Sequence, residues 1–305
     1  ARVAYNDSRQ NDVDTFELRL QSREKDTFLE WTVGLWYENS NAWNDYVADV
    51  DGPDLLLFGF LPLSDGQIIQ DVRTTFDASE KAIYADLALH LADQWVLNLG
   101  YRRSDVDTKF SVLRADGVFD TVFQGLDQRI GNDESVQEYV NSYRVSLDYF
   151  LNDDILLYAT AASGYRLGGF NSASTLHDAS IYESDAIWDY ELGVKSAWID
   201  GRLTVNGSLY RINWEDIQLG IFDFGDFSLH TRNVGEAHIE GLDLEVKYFI
   251  DRDLSIAFNY AFTDAILGVD YPTGNAFKGD RLPGSSSVSS SLPSESASAV
   301  PAHLG

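Results

Sequence analysis

Between Trp188 and Trp198 the chain alternates. One side of the run carries Trp188, Tyr190, Leu192, Val194, Ser196 and Trp198, and the other carries Asp189, Glu191, Gly193, Lys195 and Ala197. Strand side chains point alternately to opposite faces, so a period of two gives one strand an oily face and an ionic face. The same division recurs in Tyr143, Val145, Leu147 and Tyr149 against Ser142, Arg144, Ser146 and Asp148. It returns in Leu242, Leu244, Val246 and Tyr248 against Gly241, Asp243, Glu245 and Lys247, and in Leu254, Ile256, Phe258, Tyr260 and Phe262 against Ser255, Ala257, Asn259 and Ala261. Looser copies run through 15–21, 29–38, 81–91, 95–102, 155–163 and 203–213. The pattern predicts an all-β chain of about ten or eleven antiparallel strands.

A soluble sandwich also alternates, so the period alone does not choose an architecture. Three further features point to a transmembrane barrel. Several oily faces begin and end in aromatics: Trp95 to Tyr101, Tyr143 to Tyr149, Trp188 to Trp198. At ~3.3 Å per residue and ~40° of tilt, the run from Trp188 to Trp198 rises roughly 25 Å, about the height of a barrel's apolar band between its aromatic girdles. The opposite face is polar, which suits a watery or filled lumen rather than half of a dry core. Connections also alternate in length. Short turns are expected at Ser22 to Asp26, Ala92 to Gln94, Asn152 to Asp154, Asp200-Gly201 and Asp251 to Asp253, with long connections at 39–80, 103–139, 164–187 and 214–236. Short periplasmic turns and long outer loops are the pattern of outer-membrane barrels.

Composition removes other classes. The formal net charge is -27, from 22 basic and 49 acidic residues, so the clustered cations that phosphate binding needs are missing and nucleic acid is not an expected partner. With no Cys there is no disulfide framework, thiolate metal site or Cys nucleophile. No run approaches the roughly 20 apolar residues of a spanning helix. The start, Ala1-Arg2-Val3-Ala4-Tyr5, has neither Met nor a signal region, so the chain reads as a fragment or mature segment.

Longer strings carry a family likeness. LLYATAASGYRLGGFN (Leu156 to Asn171), WDYELGVKSAWIDGRLTVNGSLYRINWEDIQL (Trp188 to Leu219), NVGEAHIEGLDLEV (Asn233 to Val246) and FELRLQSREKDTFLEWTVGLWY (Phe16 to Tyr37) resemble the barrel domain of TonB-dependent outer-membrane receptors. The likeness covers roughly residues 14–284. It implies a barrel of about 22 strands, an N-terminal plug inside it, and uptake of a scarce bulky ligand powered through TonB. Ferric siderophores are the usual cargo, with haem, cobalamin or glycans as others. The expected partners are outer-membrane lipid, TonB through a plug domain absent from this chain, and an extracellular small molecule. No cofactor is expected beyond a ferric chelate as cargo, and no enzyme activity. Two departures stand out: about half the strands are present, and neither plug nor TonB box is found. Residues 1–284 are therefore expected to be a partial barrel. The Ser-rich stretch 285–305, with nine Ser between Ser285 and Ser298, is expected to be a disordered tail left by truncation or frame-shift. A passive porin, or a secreted soluble β-rich enzyme or adhesin, are the competing readings.

Catalytic constellations are weak. His238-Ile239-Glu240 places His and Glu on one strand face without the i, i+4 geometry of a helical zinc site. Carboxylate pairs such as Asp12 and Asp14, Asp105 and Asp107, or Asp251 and Asp253 are expected by chance among so many acids and have no defined separation across a sugar. Gly164 to Gly169 follows a strand, but no helix follows to hold a phosphate. His90 falls among polar positions. From Glu38 to Glu80 nine acids accompany one base, Arg73, which suits solvated loops. Ligand contact is assigned instead to loop aromatics, Trp43, Tyr46, Phe58 and Phe60 in one region and Phe222, Phe224 and Phe227 in another, because rigid aromatic area suits planar ligands. Arg166, Asn171, Arg232 and Asn233, near loop bases, are candidates to hydrogen-bond an anionic chelate.

Overall fold

In the computed structural model the described residues are 2–23, 27–53, 55–57, 61–118, 121–122, 130–131, 133–171, 181–223, 228–251, 254–271, 276–291 and 294–296. The chain opens with two long strands, β1 (Arg2–Gln21) and β2 (Leu29–Asp51), followed by a short pair, β3 (Leu55–Leu57) and β4 (Leu61–Leu63). Long strands resume with β5 (Ile68–Ala92), β6 (Trp95–Asp116), β7 (Asp133–Asn152) and β8 (Ile155–Arg166). A second short pair, β9 (Gly169–Phe170) and β10 (Ile181–Tyr182), precedes β11 (Asp185–Trp198) and β12 (Leu203–Glu215). A third, β13 (Gln218–Asp223) and β14 (Ser228–Asn233), precedes β15 (Ala237–Phe249), β16 (Leu254–Leu267), β17 (Val288–Ser291) and β18 (Ser294–Ser296).

Ten long strands, with the short β17 and β18, form one 12-stranded antiparallel sheet in the order β1-β2-β5-β6-β7-β8-β11-β12-β15-β16-β17, with β18 also on β16. Neighbours in sequence are neighbours in space, each returning beside the last. The sheet is open, with β1 at one edge, as expected of a partial barrel.

Register turns the alternation into surfaces. Leu147, Ala159, Leu192, Leu209, Leu242 and Phe262 are successive cross-strand partners, forming one oily row over six strands. One residue along, Asp148, Tyr158, Gly193, Ser208, Asp243 and Ala261 form the matching row on the other face. Among the described residues nothing covers the oily side, here the outer face: Leu192 is 63% exposed and Leu209 57%. A soluble sandwich would have closed it against a second sheet. Aromatics frame it, with Trp95 stacked on Tyr149 at 4.4 Å and Tyr143 on Trp188 at 6.3 Å.

The long connections are shorter than the sequence suggests. Those read at 39–80, 103–139 and 164–187 shrink to 52–67, 117–132 and 167–184. β5 alone has 25 residues, roughly 60 Å along the normal at ~40° of tilt, more than twice the apolar band. The reason is that pairing outlasts oiliness: beyond the band strands still exchange backbone hydrogen bonds, but their outer faces turn polar and the oily period stops. On β6 the faces swap character. Past Tyr101 the outer positions are Arg103, Asp105, Asp107 and Lys109, while the inner Ser104, Val106, Thr108, Phe110 and Val112 are all at most 6% exposed. Inner clusters result: Val72, Phe110, Val112 and Ala115 under Phe170, and Ile217, Val234, Ala237, Ala265, Leu267 and Leu282.

Two further differences concern turns and the Ser-rich stretch. The Asp200-Gly201 hairpin is a four-residue turn between paired Trp198 and Leu203, and Ile199 (φ 56°), Asp200 (φ 52°) and Gly201 (φ 78°) all lie in the left-handed region. β17 and β18 pair with β16, so Val288–Ser291 and Ser294–Ser296 extend the sheet where composition predicts disorder. Ser can donate backbone hydrogen bonds to an open edge like any other residue.

Candidate functional site

The face opposite the oily rows is the wall that would line a lumen, and a repeated packing device shapes it. Tyr84 lies directly across from Gly34, Tyr158 from Gly193 and Tyr210 from Gly241. In each pair a Cβ on the glycine would overlap the tyrosine ring. The hydroxyls anchor the rings: Tyr84 donates to Glu17, Tyr158 donates to Glu191, and Tyr210 bonds Thr263 at 2.9 Å. Around Tyr84, a cavity of about 500 Å³ is lined by Glu17, Arg19, Trp36, Arg102 and Arg144 among others. Arg102 Nη2 donates to Glu80 Oε1 at 2.6 Å, and Ser104 Oγ donates to the same oxygen at 2.6 Å. This wall carries both signs of charge and can meet polar protein or water.

Above it, the bases of two connections meet at Asp185. Register sets Asp185 opposite Arg166. Arg166 Nε donates to the carboxylate at 2.9 and 3.2 Å, its Nη2 donates to Oδ2, and its backbone N–H donates at 3.2 Å. The Asp185 side chain is 1% exposed, and the backbone N–H of Gln218 adds a bond at 3.1 Å. The Arg166 guanidinium lies 4.6 Å from the Trp214 ring centre. Such a fork of charged bonds, closed over by an aromatic, is a strong way to hold a buried carboxylate. Nearby, the ring of Tyr182 covers Gly169, and burial raises its phenol pKa against the opposing pull of Arg166.

Sequence candidates divide accordingly. Asn233 Nδ2 donates to the carbonyls of Glu183 at 2.9 Å and Asp216 at 2.8 Å, and Asn171 exchanges two bonds with the backbone of Thr231 at 3.0 and 2.8 Å. Arg232 Nη1 donates to Tyr271 Oη at 3.2 Å. The structure thus gathers Arg166, Asn171, Arg232 and Asn233 at the loop bases and gives each a partner within the chain. Trp43 and Tyr46 do not share a surface, since positions three apart on a strand face opposite ways. Trp43 is on the outer face under Arg73, whose guanidinium sits 5.1 Å from its ring, and Tyr46 packs on the inner cluster of Ala48, Val50, Leu63 and Ile69. Phe222 is placed by backbone alone, in β13 opposite Leu229. Phe58, Phe60, Phe224 and Phe227 lie outside the described residues. Sequence reasoning missed Asp185, Gln218 and Glu138, whose carboxylate accepts from the N–H groups of Gly168 and Ser184. A single carboxylate among 49 acids has no signal until register brings it to its arginine. Among the described residues no group of three or more His, Asp or Glu could hold a metal ion.

A family model for the TonB dependent receptor-like β-barrel matches residues 1–300. Pesticin receptors of Yersinia enterocolitica and Yersinia pestis are 30% identical over 172 and 173 residues, 56% of this chain and 24% of each receptor. Among solved structures, the ferric yersiniabactin uptake receptor FyuA of Yersinia pestis aligns with a TM-score of 0.73 at 20% identity, covering 96% of this chain and 41% of that one. The siderophore receptor PiuA of Acinetobacter baumannii aligns with a TM-score of 0.63 at 15% identity, covering 94% and 44%. The chain therefore spans well under half the length of the receptors it matches. By its family model and its sheet, it belongs to the TonB-dependent receptor-like β-barrels of the Gram-negative outer membrane.

Proposed function

We propose that the whole protein is an energy-coupled importer of a ferric siderophore, and that this chain supplies part of its wall and the bases of its outer loops. The observation that carries the reading is the family match over residues 1–300, joined to a fold shared with receptors described as taking up ferric yersiniabactin, ferric citrate and ferric catecholates. The protein acts by transport and not by covalent chemistry. Its outer face, uncovered over a height suited to hydrocarbon, meets outer-membrane lipid. Its polar inner wall meets a plug segment through which TonB acts. Of the sequence candidates, Tyr46 on the inner side and Arg166, Asn171, Arg232 and Asn233 at the loop bases border the route by which ligand enters, whereas Trp43 faces outward. Arg166, Asn171 and Asn233 contribute mainly by holding that route in shape, since their polar atoms are already engaged within the chain.

The test is uptake of radiolabelled iron by a receptor-deficient strain carrying the full-length gene, offered as ferric yersiniabactin, ferric citrate and a ferric catecholate, with and without TonB. Uptake of one chelate that requires TonB is the expected result. Uptake unchanged without TonB points to a passive pore, and no uptake of any chelate removes siderophores as the cargo.

A further inference from the structure

We infer that the bases of the outer connections between β8 and β11 and between β12 and β15, residues 167–171 with 181–184 and 216–223 with 228–236, come apart and re-form as a single cooperative unit, fastened at Asp185. Asp185 heads β11, and its carboxylate takes bonds from both sides: from Arg166, the last residue of β8, and from the backbone N–H of Gln218, the first residue of β13. Arg166 Nη2 reaches across in turn to the Gln218 carbonyl at 3.1 Å. Gln218 returns the link, its Nε2 donating to the carbonyls of Leu167 at 3.0 Å and Glu183 at 2.9 Å, both in the first connection. Asn233, at the far end of the second, donates to the Glu183 carbonyl and accepts from the Glu183 N–H at 2.8 Å. Asn171 of the first exchanges two bonds with Thr231 of the second. The first connection is also tied to the wall, with the N–H groups of Gly168 and Ser184 donating to Glu138 of β7 at 3.0 and 3.2 Å.

The coupling follows from what separation would leave behind. If the second connection lifted away alone, the nearly inaccessible Asp185 carboxylate would lose a donor. The half-buried Leu167 carbonyl would lose the Gln218 donor, and the buried Asn171 amide would lose its two bonds to Thr231. A buried polar group left unmatched costs more than its bond contributed. Opening both connections lets water reach these groups together, so the joint event is the less costly one. This inference concerns motion of the loop bases and holds whichever ligand the receptor takes.

Hydrogen exchange of the full-length receptor in detergent micelles tests it, using Gln218→Ala, which changes a residue of the second connection and removes its two side-chain bonds to the first, and Asp185→Asn. Amides 217–222 and amides 181–184 should both exchange faster in each variant, by a similar factor of at least roughly tenfold. Amides 190–196 in the band should not change. Faster exchange in 217–222 alone for Gln218→Ala overturns the inference, and so does unequal change that spares 181–184. Should Asp185→Asn fail to fold, Gln218→Ala decides the matter, with Asn233→Ala as its replicate from the other end of the second connection.

Discussion

Within the apolar band and above it, the same strands obey one geometry and opposite chemistry. On β6, Leu97, Leu99 and Tyr101 point outward, and Asn98, Gly100 and Arg102 point inward; a few residues on, Asp105 and Asp107 point outward while Val106 and Phe110 point inward and are buried. The parity holds from Trp95 through Val112, and only an irregularity at Leu113 shifts it so that Ala115 joins the inner cluster. The surroundings change: in the band the outer side is uncovered and the inner side polar, and above it the outer side is charged while folded-in segments such as Phe170 cover the inner side. The lesson is that period-two alternation reports only that two faces differ, and which face is oily tells where along the strand water stands.

The contrast can be broken with single substitutions in the full-length receptor. The largest effect should come from Val106→Asp, which places a carboxylate at an inner position only 1% exposed and should cost about 3 to 5 kcal/mol. Its outward neighbour Asp107→Val should change stability by less than about 0.5 kcal/mol. Urea midpoints of vesicle-refolded protein give both numbers, and equal values would erase the proposed reversal. Leu192→Arg, on the outer face at mid-band, should cost ~2 to 4 kcal/mol, whereas Glu191→Gln, which keeps an acceptor for Tyr158, should cost little. A Leu192→Arg receptor as stable as wild type in vesicles would mean that hydrocarbon does not touch that face. Gly193→Val forces the Tyr158 ring off the inner wall and should lower stability by about 1 to 3 kcal/mol, readable as a lower unfolding temperature in detergent, with Tyr158→Ala partly restoring the double variant. At the short-turn end, Ile199→Asn relieves a β-branched residue held at φ 56° and should stabilise by about 0.5 to 1 kcal/mol. A loss of stability there would show that the Ile199 side chain packs usefully.

How far the sequence could be read follows the same division. Trp188 to Trp198 and Tyr143 to Tyr149 identify their strands because outer and inner residues differ sharply there. The outer half of β2 reads from sequence only as connection, since Asn39 and Asn41 on the outer face look no oilier or wetter than the inner Glu38 and Ser40. The turns at 93–94 and 153–154 announced themselves through flanking alternation. Trp43 and Tyr46 group together only if the stretch is loop; on β2, three residues reverse the direction of the side chain. Arg166, Asn171 and Asn233 stand out in the sequence by type, through their capacity for several directed bonds, and the structure shows those bonds made within the chain. Their partners were invisible because Asp185, Gln218 and Thr231 become neighbours only through pairing of strands far apart in sequence.

The row that follows Leu209, Leu242 and Phe262 on the outer face is Arg211, Glu240 and Asp264, with Arg211 and Glu240 paired at 3.0 Å and Arg281 reaching Asp264 at 3.5 Å. Sinking the wall by one such row, roughly 5 Å at ~40° of tilt, would drag three ions into oil, at a few kcal/mol for a deeply placed cation. The wall thus carries its own waterline and cannot bob. In the import role proposed above, movement would fall to the contents of the tube or the fringe above it, because the tube keeps station.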